Sequence, residues 1–211
     1  MLESRKLGWW DIAAYVMKLC KLPSIMLGEE TYMLGPALQD SIRRILALFK
    51  TLPAGQTEGL LSRLSDVCGV PIPPTDVQSA QLMTWDQVRA LRRTGHAIGS
   101  HSLSHRVLAT LEPGAQSNEI TESRQLLQQA TGGEIRSFAY PVGGPQHFND
   151  HSVRCARIAG YSQAFSFNTG IASFPVEDPF RIPRESAKSL ELLKAKVMLP
   201  GLMGLGKRNA V

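Results

Sequence analysis

The stretch Gly95-His96-Ala97-Ile98-Gly99-Ser100-His101-Ser102-Leu103-Ser104-His105 decides how the rest of the chain is read. Its first half is short, small and mostly apolar, and it follows a glycine stop, which is the composition of a buried strand. Its second half is a polar loop with histidines at 101 and 105. A buried strand that empties into a polar loop is the first half of a βα unit.

The sequence after this stretch continues the pattern. A helix is expected from Pro113 to Thr131, ended by Gly132-Gly133. A strand follows from Ile135 to Tyr140 and stops at Pro141-Val142-Gly143-Gly144. Asn149 can cap a helix that runs to Ala159, with Gly160 as its left-handed terminator. Tyr161–Phe167 reads as a third strand and Phe180–Pro183 as a fourth. Strands that alternate with helices predict an α/β fold with parallel strands. In such folds ligands meet the loops at the carboxyl ends of strands. The loops after residues 101 and 140 are therefore the ones to watch.

Before the stretch the texture differs. Thr84 and Gln87 form a capping-box pair for a helix that Gly95 stops. Val70-Pro71-Ile72-Pro73-Pro74 is a stiff connection. Residues 1–69 read as helical throughout: Trp9–Leu22 with a stripe of Trp10, Ala13, Ala14, Met17 and Cys20, then Ala37–Leu52 behind Pro36, then Thr57–Cys68 closed by Gly69. The expected organisation is a helical insertion or cap with its connection over 1–80, an α/β core over 81–189 and a tail over 190–211.

Composition narrows the classes of function. The chain has 211 residues, 43% hydrophobic and 19% charged, which excludes wholesale disorder and permits a sizeable core. No apolar run reaches the roughly 18 residues a membrane helix needs. The formal charge is +5, but the cations are scattered with little aromatic interleaving, which argues against nucleic acid as a partner. Cys20, Cys68 and Cys155 are odd in number and widely spaced, so neither a disulfide framework nor a thiolate zinc site is expected. A reducing compartment fits, and the first residues show no signal-peptide pattern, which favours the cytoplasm.

The chemistry sits in the two loops. Imidazoles four residues apart can face one way on a turn and grip one divalent metal, and neutral imidazole suits zinc. No Glu lies between His101 and His105, so a His-Glu-x-x-His protease site is excluded. His96 is expected inside the strand as a packed residue, and His147 and His151 as solvated ones. Pro141 and Gly143 let the backbone turn sharply past the second strand, where an N–H could stabilise an oxyanion.

Taken in order, Gly95-His96-Ala97-Ile98-Gly99-Ser100-His101 with Ser102-Leu103-Ser104-His105, then Phe138-Ala139-Tyr140-Pro141-Val142-Gly143, resemble the polysaccharide deacetylases, the NodB-like carbohydrate esterases of family 4. The helix carrying Glu119, Glu122 and Leu126-Leu127 fits as well, and the likeness covers about residues 82–185. The resemblance implies a distorted (β/α) barrel, here incomplete and carrying an N-terminal helical insertion. It implies a divalent metal, usually zinc, with His101 and His105 as ligands. It implies that Tyr140 contributes an oxyanion-hole backbone N–H, while Pro141, Gly143 and Gly144 shape the loop. Arg181, in Phe180-Arg181-Ile182-Pro183-Arg184, falls where the family runs a late strand and is a candidate substrate-binding residue. The implied activity is hydrolysis of acetyl groups on an amino sugar or polysaccharide, with an acetylated oligo- or polysaccharide as partner.

The departures shape the expectation too. The family's Thr-Phe-Asp-Asp-Gly motif supplies its base and third ligand, and this chain has no Asp-Asp pair. The chain is expected to begin just after the strands that carry that motif. Weak metal binding, little hydrolysis by this chain alone and self-association through an open sheet edge are the consequences. The alternative is a non-catalytic domain that binds carbohydrate or a partner.

Overall fold

A computed structural model describes residues 5–168, 170, 172 and 175–184. The expected tail over 190–211 lies outside the described residues. The chain divides into two compact units. The first runs through Ala97 and takes in Leu103–Glu112; the second is Ile98–Ser102 together with the chain from Pro113 onward. The chain passes between units inside the histidine-bearing stretch itself.

The first unit opens with helix α1, Trp9–Leu19, whose Ala13, Val16 and Met17 are buried. A β-hairpin follows, β1 Ser24–Leu27 and β2 Glu30–Met33, paired antiparallel with Leu27 opposite Glu30. The expectation that residues 1–69 are all helical is corrected here. Pro23 bars continuation of α1, and Gly28 at φ 66° makes the tight two-residue turn. Ile25, Leu27 and Tyr32 pack the hairpin into the core. Helix α2, Leu38–Thr51, buries Ile42, Ile45 and Phe49. Helix α3, Thr57–Cys68, buries Leu61, Leu64 and Cys68 and ends on Gly69 at φ 62°. The proline connection leads into a short helix, α4, Thr75–Ala80. Helix α5, Trp85–Arg93, carries the Thr84–Gln87 capping box in full.

The second unit holds helix α6, Pro113–Thr131, strand β3, Ser137–Ala139, helix α7, Asp150–Ile158, and strand β4, Gln163–Phe165. Asn149 and Ser152 cap α7 reciprocally. Strands β3 and β4 are parallel, with Phe138 opposite Ala164. Ser100 bridges to Phe138 on one side and Ile182 to Phe165 on the other, both parallel. The α/β class is thus present as a parallel array four positions wide. Its packing is Ile120, Ile135, Phe138, Tyr140, Ala156, Tyr161 and Ala164, all buried.

Two expected strands shrink to single bridges. The run 96–101 pairs only at Ser100, whose N–H donates to Ser137 O at 2.9 Å and whose carbonyl accepts from Ala139 N at 2.8 Å. Gly99 permits this approach, because a Cβ there would sit 3.2 Å from Ser137 O. The run 180–183 pairs at Ile182 alone. His96 is not a packed strand residue. It is exposed, with Nδ1 at 3.1 Å from Thr94 Oγ1 and 3.3 Å from Leu91 O, at the end of α5. His151 is half-buried, its Nε2 3.1 Å from Pro113 O, and so is not simply solvated.

Candidate functional site

In the second unit Ser100 anchors the first loop. Its backbone is bonded on both sides to β3, and its hydroxyl donates to Ser123 Oγ at 2.8 Å within a buried network. His101 follows at once. Its Nδ1 lies 2.7 Å from Ala139 O. A carbonyl only accepts, so Nδ1 carries the hydrogen and Nε2 carries the lone pair. The residue is exposed at its outer edge, yet the protein packed around the ring desolvates it and pushes its pKa below the ordinary imidazole value. The Ala139 bond opposes that shift, and the nearby Arg184 charge adds to it. His101 is therefore a neutral imidazole at neutral pH, the state in which a histidine can ligate a metal. Ser102 then turns with φ 64°.

In the first unit the loop ends at His105, whose φ is 58° and whose ring centroid lies 3.9 Å from that of Trp10. Arg106 beside it reaches Glu58 at 3.3 Å.

The second loop differs from its expected role. Tyr140 N–H donates to Phe165 O at 3.0 Å, extending the β3–β4 ladder, so it is committed to the sheet and does not face a ligand as an oxyanion donor. The Tyr140 side chain is also structural. It is fully buried, stacks on Phe148 at 4.0 Å and donates its hydroxyl to Phe180 O at 3.0 Å. Burial drives its pKa far above the usual phenol value. Pro141 is buried behind it. Val142 at φ 60° and Gly143 at φ 69° reverse the chain. Phe167 N–H then donates to Gly143 O at 2.6 Å. A side chain at Gly144 would meet His147 Nδ1 at 2.8 Å.

Arg181 is held by two carboxylates, Asp178 at 2.9 Å and Asp150 at 2.5 Å. It ties the start of α7 to the 178–182 segment. Two residues that sequence reasoning did not assign lie next to the histidines. Arg184 donates Nε to Ser166 O at 2.9 Å, and Trp10 contacts His105. Among the described residues no group of three His, Cys, Asp or Glu side chains is placed to hold a metal. What these residues bring to a cation is the neutral imidazole of His101 with its Nε2 lone pair, and that donor chemistry fits.

Residues 35–164, more than half of the chain, match the family profile described as polysaccharide deacetylase. A protein of Bacillus subtilis (strain 168), YxkH, provisionally described as a polysaccharide deacetylase, is 28% identical over 91 residues, which are 43% of this chain and 32% of that protein. The chain thus spans about a third of the length of this curated relative. Among solved structures, the Streptococcus pyogenes deacetylase PplD, in complex with acetate, gives a TM-score of 0.47 at 21% identity, over 88% of this chain and 84% of that one. The deacetylase domain of BpsB from Bordetella bronchiseptica gives 0.45 at 19%, over 55% and 50%. A de-N-acetylase from Aggregatibacter actinomycetemcomitans gives 0.45 at 16%, over 64% and 68%.

Proposed function

The chain belongs to the polysaccharide deacetylase family, and from that membership we propose that it carries the histidine-bearing part of a metal-dependent hydrolase that removes acetyl groups from an amino sugar or polysaccharide. The parallel array is read as a segment of a distorted (β/α) barrel. His101 and His105 are the metal ligands in this reading, and zinc is the metal their chemistry suits best. The observation that carries the reading is the 2.7 Å contact from His101 Nδ1 to Ala139 O. It fixes the tautomer, directs Nε2 as donor and is the kind of second interaction that metal-bound histidines usually have.

A divalent cation held there supplies Lewis acidity towards an acetyl carbonyl and towards water. The chain's own residues orient and exclude. Ala139 O sets the ring of His101, while Arg184 and the surrounding burial keep that ring unprotonated. The Tyr140–Gly143 turn forms a rigid wall at the end of β3, and its Tyr140 N–H stays in the sheet. No residue of this chain is assigned as the general base.

The test has two arms. Zinc titrated into the purified chain should bind weakly, and His101→Ala should remove that binding. Acetate release from an acetylated chitooligosaccharide should stay near background. Robust turnover by the 211-residue chain would show that one of its own residues serves as the general base and refute the expectation of little hydrolysis. The second reading, a domain that binds acetylated carbohydrate without hydrolysing it, is favoured by the engagement of Tyr140 N–H with Phe165 O. Saturable oligosaccharide binding that persists in His101→Ala, with no turnover in either protein, would select it.

A further inference from the structure

Trp9 and Trp10 leave α1 in different directions. Trp9 joins the core of the first unit, stacked on Phe49 at 5.3 Å with the rings 15° apart. Trp10 is not among the residues that pack against that core. Its indole lies instead against His105, with centroids 3.9 Å apart and planes tilted by 45°. Behind the indole is Gly8, buried and without a side chain. A Cβ there would sit 2.3 Å from Trp10 Cη2 and Cζ2, inside the ring's own volume. The glycine is thus a floor cut to admit the indole, and the indole is a wall for the imidazole.

His105 needs such a wall. Its backbone is left-handed, at φ 58°, in a loop that gives it little secondary structure to lean on. An imidazole on such a loop samples three staggered χ1 wells, and a metal ligand is useful in only one of them. We propose that Gly8 and Trp10 form a seat that holds the His105 ring in one rotamer, making Trp10 a positioning residue for that ligand. The inference deepens the metal-ligand reading of His105 and rests on it. Its chemical sense is pre-organisation: an aromatic face at van der Waals range restricts the ring without competing for either nitrogen. It also gives the N-terminal helix a task beyond packing, since α1 brings a large aromatic from far away in the sequence to the histidine loop.

The test uses the full chain with Trp10→Leu, Trp10→Phe and Gly8→Ala, each first checked for native far-ultraviolet circular dichroism. The readout independent of metal is the NMR shift of the His105 ring protons, assigned by difference against His105→Ala. In the parent chain the indole should displace them upfield. Trp10→Leu should abolish that displacement, Gly8→Ala should reduce it by pushing the indole off its floor, and Trp10→Phe should keep part of it. The second readout is zinc affinity by competition with a chromophoric chelator. Release of the ring from one rotamer into three weakens binding about threefold, with partial rescue by Phe. Unchanged His105 shifts in Trp10→Leu overturn the seat. Affinity unchanged in variants whose shift has collapsed overturns the positioning role. A parent chain that shows the shift and binds no zinc refutes the metal reading and still supports the seat, so the two failures are distinct.

Discussion

Replacing Gly143 with alanine should damage the second unit more than any ordinary glycine substitution in it. Gly143 has φ 69°, a region that costs an L-residue about 1–2 kcal/mol. The new Cβ would also stand 2.8 Å from Phe167 N and 3.0 Å from both Phe167 Cβ and Tyr140 O. Two of those neighbours are backbone atoms and cannot swing away. The segment leaving β4 must shift, and the Phe167 N–H to Gly143 O bond stretches or breaks, at a further cost of about 1 kcal/mol. The sum is about 2–3 kcal/mol. Gly132→Ala is the matched control. Its φ is 67°, and nothing lies within 4 Å of where its Cβ would be, so it bears only the backbone component.

All three tryptophans, Trp9, Trp10 and Trp85, lie in the first unit, so their fluorescence is blind to this change. Native-state hydrogen exchange at Ala139 and Tyr140, whose amides donate within the parallel array, reads the second unit directly. Relative to Gly132→Ala, exchange at these amides should be faster in Gly143→Ala by about 5-fold, the equivalent of about 1 kcal/mol. Equal acceleration in the two variants would refute the clash and leave only the backbone conformation as a cause.

Other perturbations test other parts of the structure. Tyr140→Phe removes the hydroxyl that bonds Phe180 O but keeps the ring on Phe148; it should cost about 1–2 kcal/mol in urea unfolding with an unchanged denaturant slope. A thiol reagent at pH 8 should label half-exposed Cys20 first, because Cys68 is buried and burial, with Cys20 beside it, pushes its thiol up to about 12. Release of Cys68 before unfolding would contradict that packing. Burial alone would raise the pKa of Asp178, but the Phe180 N–H and the Arg181 and Arg157 charges outweigh it and hold the carboxyl below its usual value. The resulting stability is present above about pH 4 and is lost as pH falls through the lowered folded value. The gap in melting temperature between the parent and Asp178→Asn should therefore be constant from pH 5 to 7 and close towards pH 2; a gap that widens in acid would reverse the sign.

The helices were legible because their ends are written locally. Thr84 with Gln87, Asn149, Gly69, Gly132 and Gly160 each announce a boundary within a turn, and each does so in the structure. The β-hairpin was not legible. Its strands have four residues each, and Met26 and Met33 are exposed while Ile25, Leu27 and Tyr32 are buried, so apolar residues occupy both faces and alternation is lost. The strand expected at 96–101 failed for a different reason. Small apolar residues there serve close approach, not pairing, and Gly99 lets a single position dock on β3. At the candidate site, sequence located the histidines and the turn but not their partners. Arg184 beside His101 and Trp10 against His105 are long-range contacts that no local pattern encodes. The partner of Tyr140 N–H was not legible because the Phe165 carbonyl of β4 arrives from a separate segment.

Backbone strain is concentrated in these two loops. Among the described residues, Arg5, Ser102, His105 and Val142 are the non-glycine residues with positive φ. Three of the four fall in the segments that follow Ser100 and β3. Val142 is the most costly, because a β-branched side chain crowds its own backbone in that region. Such conformations persist only where neighbours over-determine them. Here the neighbours can be named: the Ser100 bonds to β3, the Gly143–Phe167 bond beside Val142, and the Trp10 ring on His105. Helices α5 and α7 of the same chain, by contrast, start on side-chain caps at Thr84 and Asn149, neither of which has a positive φ. The strained residues of these two loops are thus each held by a contact that is long-range in sequence, so a variant that removes the contact should also relax the backbone beside it.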